Sequence, residues 1–165
     1  MFNTLEMTNI AHNSFGQHNP LADRYQASAA FENALLWGKL HTLGHRLLGK
    51  ASSLRQLPRV DTIVARRPAR EAGVVNVPLS QIVGSEGRAS DFDSDFHPLN
   101  DHTRDRWISI AAAIRAGAAL PPVELIQAAD GYYVRDGHHR ISVAKATGQT
   151  SIESRIVYTL VNYLP

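Results

Sequence analysis

Four leucines, Leu36, Leu40, Leu43 and Leu47, recur at spacings of four, three and four, which is one stripe of a helix. Gly49, just after Leu48, reads as its stop. Gly38 and Gly44 weaken this helix, so it is expected to need a partner surface. Ahead of it, residues 1–20 are rich in Asn, His, Ser, Gly and Pro without a period and read as a flexible leader. A second, shorter helix is expected from Val60 through Ala65, ending before Pro68, and RRPAREAG then reads as a basic linker.

After Gly73 the pattern becomes mixed. VVNVPL is strand-like, because Val74, Val75 and Val77 favour extended backbone. A glycine-bearing loop, GSEGR, and an acidic, aromatic stretch, DFDSDFHP, come next. In TRDRWISIAAAIRAG, Trp107, Ile110, Ala111 and Ile114 share one helical face, Gly117 closes the helix, and Pro121-Pro122 bars continuation. VELIQ and YYVRD are short strands around Asp130-Gly131, a hairpin turn signal. HHRISVAKATG predicts a helix closed by Gly148, and IESRIVY a last strand. The expected fold is therefore α/β (α+β): a leader at 1–20, a helical extension and linker at 21–72, and a small mixed-sheet domain at 73–165.

Composition narrows the chemistry. The 165 residues include no cysteine, which excludes disulfides, thiolate zinc sites, iron–sulfur clusters and a cysteine nucleophile. No apolar run reaches the roughly 18–20 residues of a membrane span, and the N-terminus lacks the basic and apolar regions of a secretory signal. A cytoplasmic protein is expected. The net charge of +2 is unevenly spread, with nine basic against five acidic residues through Val77 and eight against ten thereafter. A basic half suits an acidic partner or a solvated helix face equally in kind, and its density favours the latter.

The chemistry concentrates at Asp136-Gly137-His138-His139-Arg140, where a strand turns into a helix. A helix N-terminus presents unpaired N–H groups and the positive dipole end, which suits an anion. Gly137 permits a tight turn, and Arg140 is placed to fork onto a phosphate. His138, Ser142, Lys145 and Gln149 form a polar stripe running from this cradle. The structural alternative is a well-capped helix with Asp136 as its cap and both histidines satisfied by neighbours.

Gly137-His138-His139-Arg140 followed by Ala144 resembles the G-x-x-R-x-x-x-A box of the ParB/sulfiredoxin fold. The likeness extends to Leu79-Ser80-Gln81-Ile82 with the loop to Arg88, to the hairpin, and to the closing strand, covering about residues 74–158. It is similar to small ParB-like proteins with a GSxGR…DGHHR pattern. The resemblance implies phosphate or nucleotide binding through Arg88, Gly137, His138, His139 and Arg140. ParB proteins carry Glu and Arg where this chain has His138 and His139. Sulfiredoxins carry their catalytic cysteine where this chain has His138, so that activity is rejected. The free-serine kinase branch keeps an Asp-Gly-His start like Asp136-Gly137-His138.

Three functions of different class follow. The first is a nucleotide- or phosphate-binding domain, an NTP hydrolase or phosphotransferase, with Glu86, Asp136 and His138 as candidate catalytic groups and Mg²⁺ arriving with a nucleotide. The second is a DNA-binding or nuclease-like protein, against which the chain shows no following helix-turn-helix and no aromatic interleaving. The third is a non-catalytic interaction module, with the leucine stripe as a docking or homodimer surface. The alternating Asp91, Asp93 and Asp95 suggest a cation site but lack the glycine and distal glutamate of an EF-hand, so they read as solvated beside anchoring Phe92 and Phe96. His97 and His102 sharing a metal with His138 and His139 is disfavoured, since adjacent helical histidines diverge. Trp107 reads as core rather than as a stacking platform.

Overall fold

The structure, a computed structural model, describes residues 19–57, 65–68 and 73–161. All but the end of the expected leader lies outside the described residues, as does the expected short helix through residue 64. The elements are α1 (Pro20–Leu47), β1 (Arg55–Gln56), β2 (Ala65–Pro68), β3 (Val75–Pro78), β4 (Ile82–Ser85), α2 (Arg104–Arg115), β5 (Val123–Ala128), β6 (Gly131–Asp136), α3 (His138–Ala146) and β7 (Ser151–Val161). From β3 onward this is the expected order of strand, loop, helix, hairpin, helix and strand with one strand added: β4 takes in the start of the GSEGR stretch expected as a loop and pairs parallel with β6. The fold is mixed α/β.

One sheet runs β1-β4-β6-β5-β7-β2, with β3 also paired to β7. β4 lies parallel to β6 and β5 parallel to β7, while the β5–β6 hairpin is antiparallel. Side chains alternate across the pleat. Leu125 and Val134 join Val123, Ile141 and Ala144 on the helix side, and Ile126 and Tyr133 join Leu57 and Leu160 on the other. Ala65, expected as the end of the short helix, and Arg66–Pro68 of the expected basic linker instead form a strand that pairs antiparallel with Tyr158–Val161. Being the edge strand, it tolerates a proline that donates no hydrogen bond.

Helix α1 starts at Asn19, whose Oδ1 accepts the N–H groups of Leu21 and Ala22, with Pro20 in the first turn. The face it buries is not the leucine stripe. Leu36, Leu40, Leu43 and Leu47 are 49–81% exposed, whereas Ala27, Phe31, Ala34, Leu35 and Gly38 are buried. The buried set shares the leucine period but is built mainly of small residues, which let α2 and the 97–99 segment approach closely. Gly38 is a contact residue rather than a weak point. A Cβ there would stand 2.6 Å from the Pro98 carbonyl oxygen and 3.1 Å from His97 Cβ. Gly38→Ala is expected to destabilise by about 1–3 kcal/mol, despite the roughly 1 kcal/mol helix-propensity gain of alanine. Urea denaturation checks this, and a stabilised variant would contradict it.

Candidate functional site

At the β6–α3 junction Gly137 adopts φ +100°, a conformation that favours glycine. Its hydrogen faces Val123, where a Cβ would come within 2.5 Å of Cγ1. Gly137 itself is the N-cap, and no side chain caps the helix. Asp136 therefore does not serve as the cap. The first intrahelical bond is Ile141 N–H to Gly137 C=O (3.0 Å), so the amides of His138, His139 and Arg140 have no intrahelical partner.

These amides open on a pocket of about 360 Å³ lined by Arg88, Arg106 and Arg140, by His102, His138 and His139, and by Thr103, Ile110, Asp136 and Gly137. Three arginines face one carboxylate, Asp136, which pairs with Arg140 at 2.5 Å. Arg106 has no carboxylate partner among the described residues. Arg88, at φ +46° in the loop after β4, is 3.4 Å from Asp91, and His102 is 3.3 Å from the same side chain. Arg140 is more committed than the sequence suggested. Its guanidinium also donates to the Pro121 and Pro122 carbonyls, holding the β5 approach against α3.

His138 is buried with its Nε2 2.6 Å from Ser85 Oγ. Ser85 Oγ donates to the Gly87 carbonyl and accepts the Gly87 N–H at 3.0 Å, which makes His138 Nε2 the donor to it. The imidazole thus ties the end of β4 to the start of α3 and does not draw the serine proton. Burial, Arg88 and His139 push the His138 pKa down to about 4. Burial, Arg88 and Arg106 do the same to His139. Both rings are neutral at pH 7, and both rest on Phe92, His138 stacked at 6.3 Å and His139 edge-on at 5.4 Å.

The structure brings Arg88, Asp136, Gly137, His138, His139 and Arg140 together and leaves Glu86 out. Glu86 does not line the pocket, and its charge acts on Arg135 instead. Arg106 was missed by sequence reasoning, although its place beside the core residue Trp107 puts it one position off the buried face. The expected polar stripe is buried at His138 and Ser142, partly buried at Lys145 and exposed at Gln149: Ser142 accepts the Trp107 indole N–H at 2.9 Å, and Lys145 lies over the Phe96 ring at 5.0 Å. Trp107 is core, fully buried against Phe31. His97 does not join the pocket histidines. Phe92 and Phe96 anchor their loop as expected, but Asp93 is wholly buried rather than solvated.

No protein-family model matches the sequence, and no curated protein matches it. Among solved structures, the chain is similar to the crystal structure of sulfiredoxin from Arabidopsis thaliana, at 21% identity and a TM-score of 0.40, covering 52% of this chain and 84% of that one. No helix among the described residues is long and apolar enough to cross a membrane.

Proposed function

We propose that this chain binds a phosphate-bearing ligand, a nucleotide or a phosphorylated small molecule, in the pocket at the N-terminus of α3. The observation that carries the reading is the convergence of Arg88, Arg106 and Arg140 with three amides that lack intrahelical partners on one cavity whose single carboxylate is already paired. About 360 Å³ falls at the small end of ligand pockets, roughly 300–1,000 Å³. Neutral His139 adds a ring N–H without repelling the arginines, whereas His138 spends its ring N–H on Ser85.

Binding is better supported than turnover. Glu86, the candidate base, lies outside the pocket, and His138 is engaged with Ser85. The pocket offers Mg²⁺ only Asp136, so a metal there would be held chiefly by the ligand's own phosphates and by water.

Calorimetry with inorganic phosphate, ADP, ATP, CTP and GTP, with and without Mg²⁺, tests the reading. Arg88→Ala with Arg106→Ala is expected to weaken the best ligand by at least about tenfold, since hydrogen bonds to charged groups contribute about 1.5–3 kcal/mol each. Arg140→Ala is a poorer test, because it also releases the Pro121 and Pro122 carbonyls. Absence of binding by all five ligands sinks the proposal.

A further inference from the structure

A second polar cluster lies away from the anion pocket, where α1 meets the loop following β4. Its centre is Asp93, whose side chain is wholly buried. Asp93 Oδ1 accepts the backbone N–H groups of Asp95 (3.0 Å) and His97 (2.8 Å). Asp93 Oδ2 lies 2.8 Å from His41 Nδ1 and 3.0 Å from His97 Nδ1. A carboxylate oxygen in that position fixes both Nδ1 atoms as donors, which leaves each Nε2 as the ligating nitrogen of a neutral imidazole. Asp95 Oδ2 stands 3.3 Å from His41 Nε2. One ligand atom each from His41, Asp95 and His97 falls within 4.8 Å of the others.

We propose that His41, His97 and Asp95 bind a divalent transition-metal ion of the zinc class, with Asp93 as the buried carboxylate that orients both imidazoles. Two imidazole nitrogens and one carboxylate suit Zn²⁺ and its neighbours, whereas Ca²⁺ and Mg²⁺ call for an oxygen shell. Tetrahedral bonds of 2.0–2.2 Å need ligand atoms about 3.3 Å apart, so side-chain rotation must close the set slightly. His41, His97 and Asp95 are 26%, 31% and 57% exposed, which gives an ion an entry route and room for that rotation. Three protein ligands leave one coordination position to water.

The site couples two parts of the chain distant in sequence, since His41 is on α1 and the others follow β4. Asp93 satisfies two loop amides and both rings at once, a second shell that is complete without the metal. Lys145, over Phe96, is the neighbouring cation whose charge Asp93 and Asp95 share and with which a metal would compete. His45, 4.0 Å from His41, is held by its own bond to the Ala51 carbonyl and is not part of the set.

The metal-free full chain should be titrated with Zn²⁺ by calorimetry and with Co²⁺ by visible absorption. One ion per chain is expected, with cobalt d–d bands, and at least tenfold weaker binding in both His41→Gln and Asp95→Asn, with circular dichroism confirming their fold. X-ray absorption at the zinc edge of the wild-type complex, expected to show two imidazole nitrogens, keeps the test independent of how the variants fold. Absence of heat and of bands up to about 100 μM metal overturns the proposal. Full-strength binding in both variants, or a zinc shell with fewer than two imidazoles, overturns it as well.

Discussion

Trp107→Ala is expected to destabilise the chain by about 3–5 kcal/mol, as large-to-small changes at fully buried aromatic sites do. The indole is wholly buried and meets Phe31 of α1 edge-on, with ring centroids 5.6 Å apart. It also donates to Ser142 Oγ of α3 at 2.9 Å. One side chain therefore joins all three helices, and its removal leaves both a cavity and a buried hydroxyl without its donor. Against a typical total of 5–15 kcal/mol this is a large share. Trp107→Phe, which keeps an aromatic ring and loses the indole N–H, is expected to cost less, about 1–3 kcal/mol. The consequence reaches the pocket, because Arg106 and Ile110 are carried by α2 and His138 and His139 by α3. Urea denaturation followed by circular dichroism reads this in wild type and variants alike, since Trp107, the buried fluorescence reporter, is absent from the variants. A midpoint for Trp107→Ala matching wild type would show that the helices are held together by something else.

Trp107 also shows why one half of the chain was legible in sequence and the other only in outline. From Gly73 on, every element but β4 carries its own local signal: β-branched runs, Asp130-Gly131 at the hairpin, and glycines closing α2 and α3 at Gly117 and Gly148, whereas the Gly84-Ser85 end of β4 reads as a loop until it pairs with β6. Local chemistry decides there, so the order of elements was readable. In α1 two stripes of equal period compete, one of large leucines and one of small residues around Phe31 and Gly38. Size favours the wrong stripe. What decides between them is the shape of the surface that α1 meets, which includes the Pro98 carbonyl at Gly38. The site divides in the same way. Gly137, His138, His139 and Arg140 are contiguous and were found, while the place of Arg106 in the pocket and the His41–Asp93 contact exist only because segments meet at long sequence separation. Glu86 lies beside β6, its N–H bonded to the Val134 carbonyl, but does not line the pocket.

Acidification from pH 6.5 toward 4 is expected to remove several kcal/mol of stability through His138 and His139. Burial and the surrounding positive charge place both folded-state pKa values at about 4, against an ordinary value of 6.5. Between those limits the unfolded chain binds more protons than the folded one, so stability falls as pH falls. The contribution is fully present above about 6.5 and is lost on the way down through 4. His138, the more deeply buried ring, accounts for roughly 3 kcal/mol of it, and the partly exposed His139 for less. The groups that set the effect are Arg88, Arg106 and His102, opposed by Asp136 and Asp91. The other shifted histidine acts elsewhere on the pH axis. His97 is raised by its bond to Asp93, so its contribution is full below 6.5 and is lost as pH rises above that value. Urea melts at pH 7 and pH 4.5 should therefore separate widely in wild type and less so in the His138→Gln/His139→Gln variant, where neither buried imidazole remains to be charged. The assigned ring signals of His138 and His139 titrating near 6.5 by nuclear magnetic resonance would contradict the account whatever the pocket binds. Inorganic phosphate then adds an independent reading: an anion among the arginines favours the protonated rings, raises both pKa values and flattens the curve. A steep curve that phosphate leaves unchanged keeps the electrostatics of the pocket and removes inorganic phosphate as its ligand.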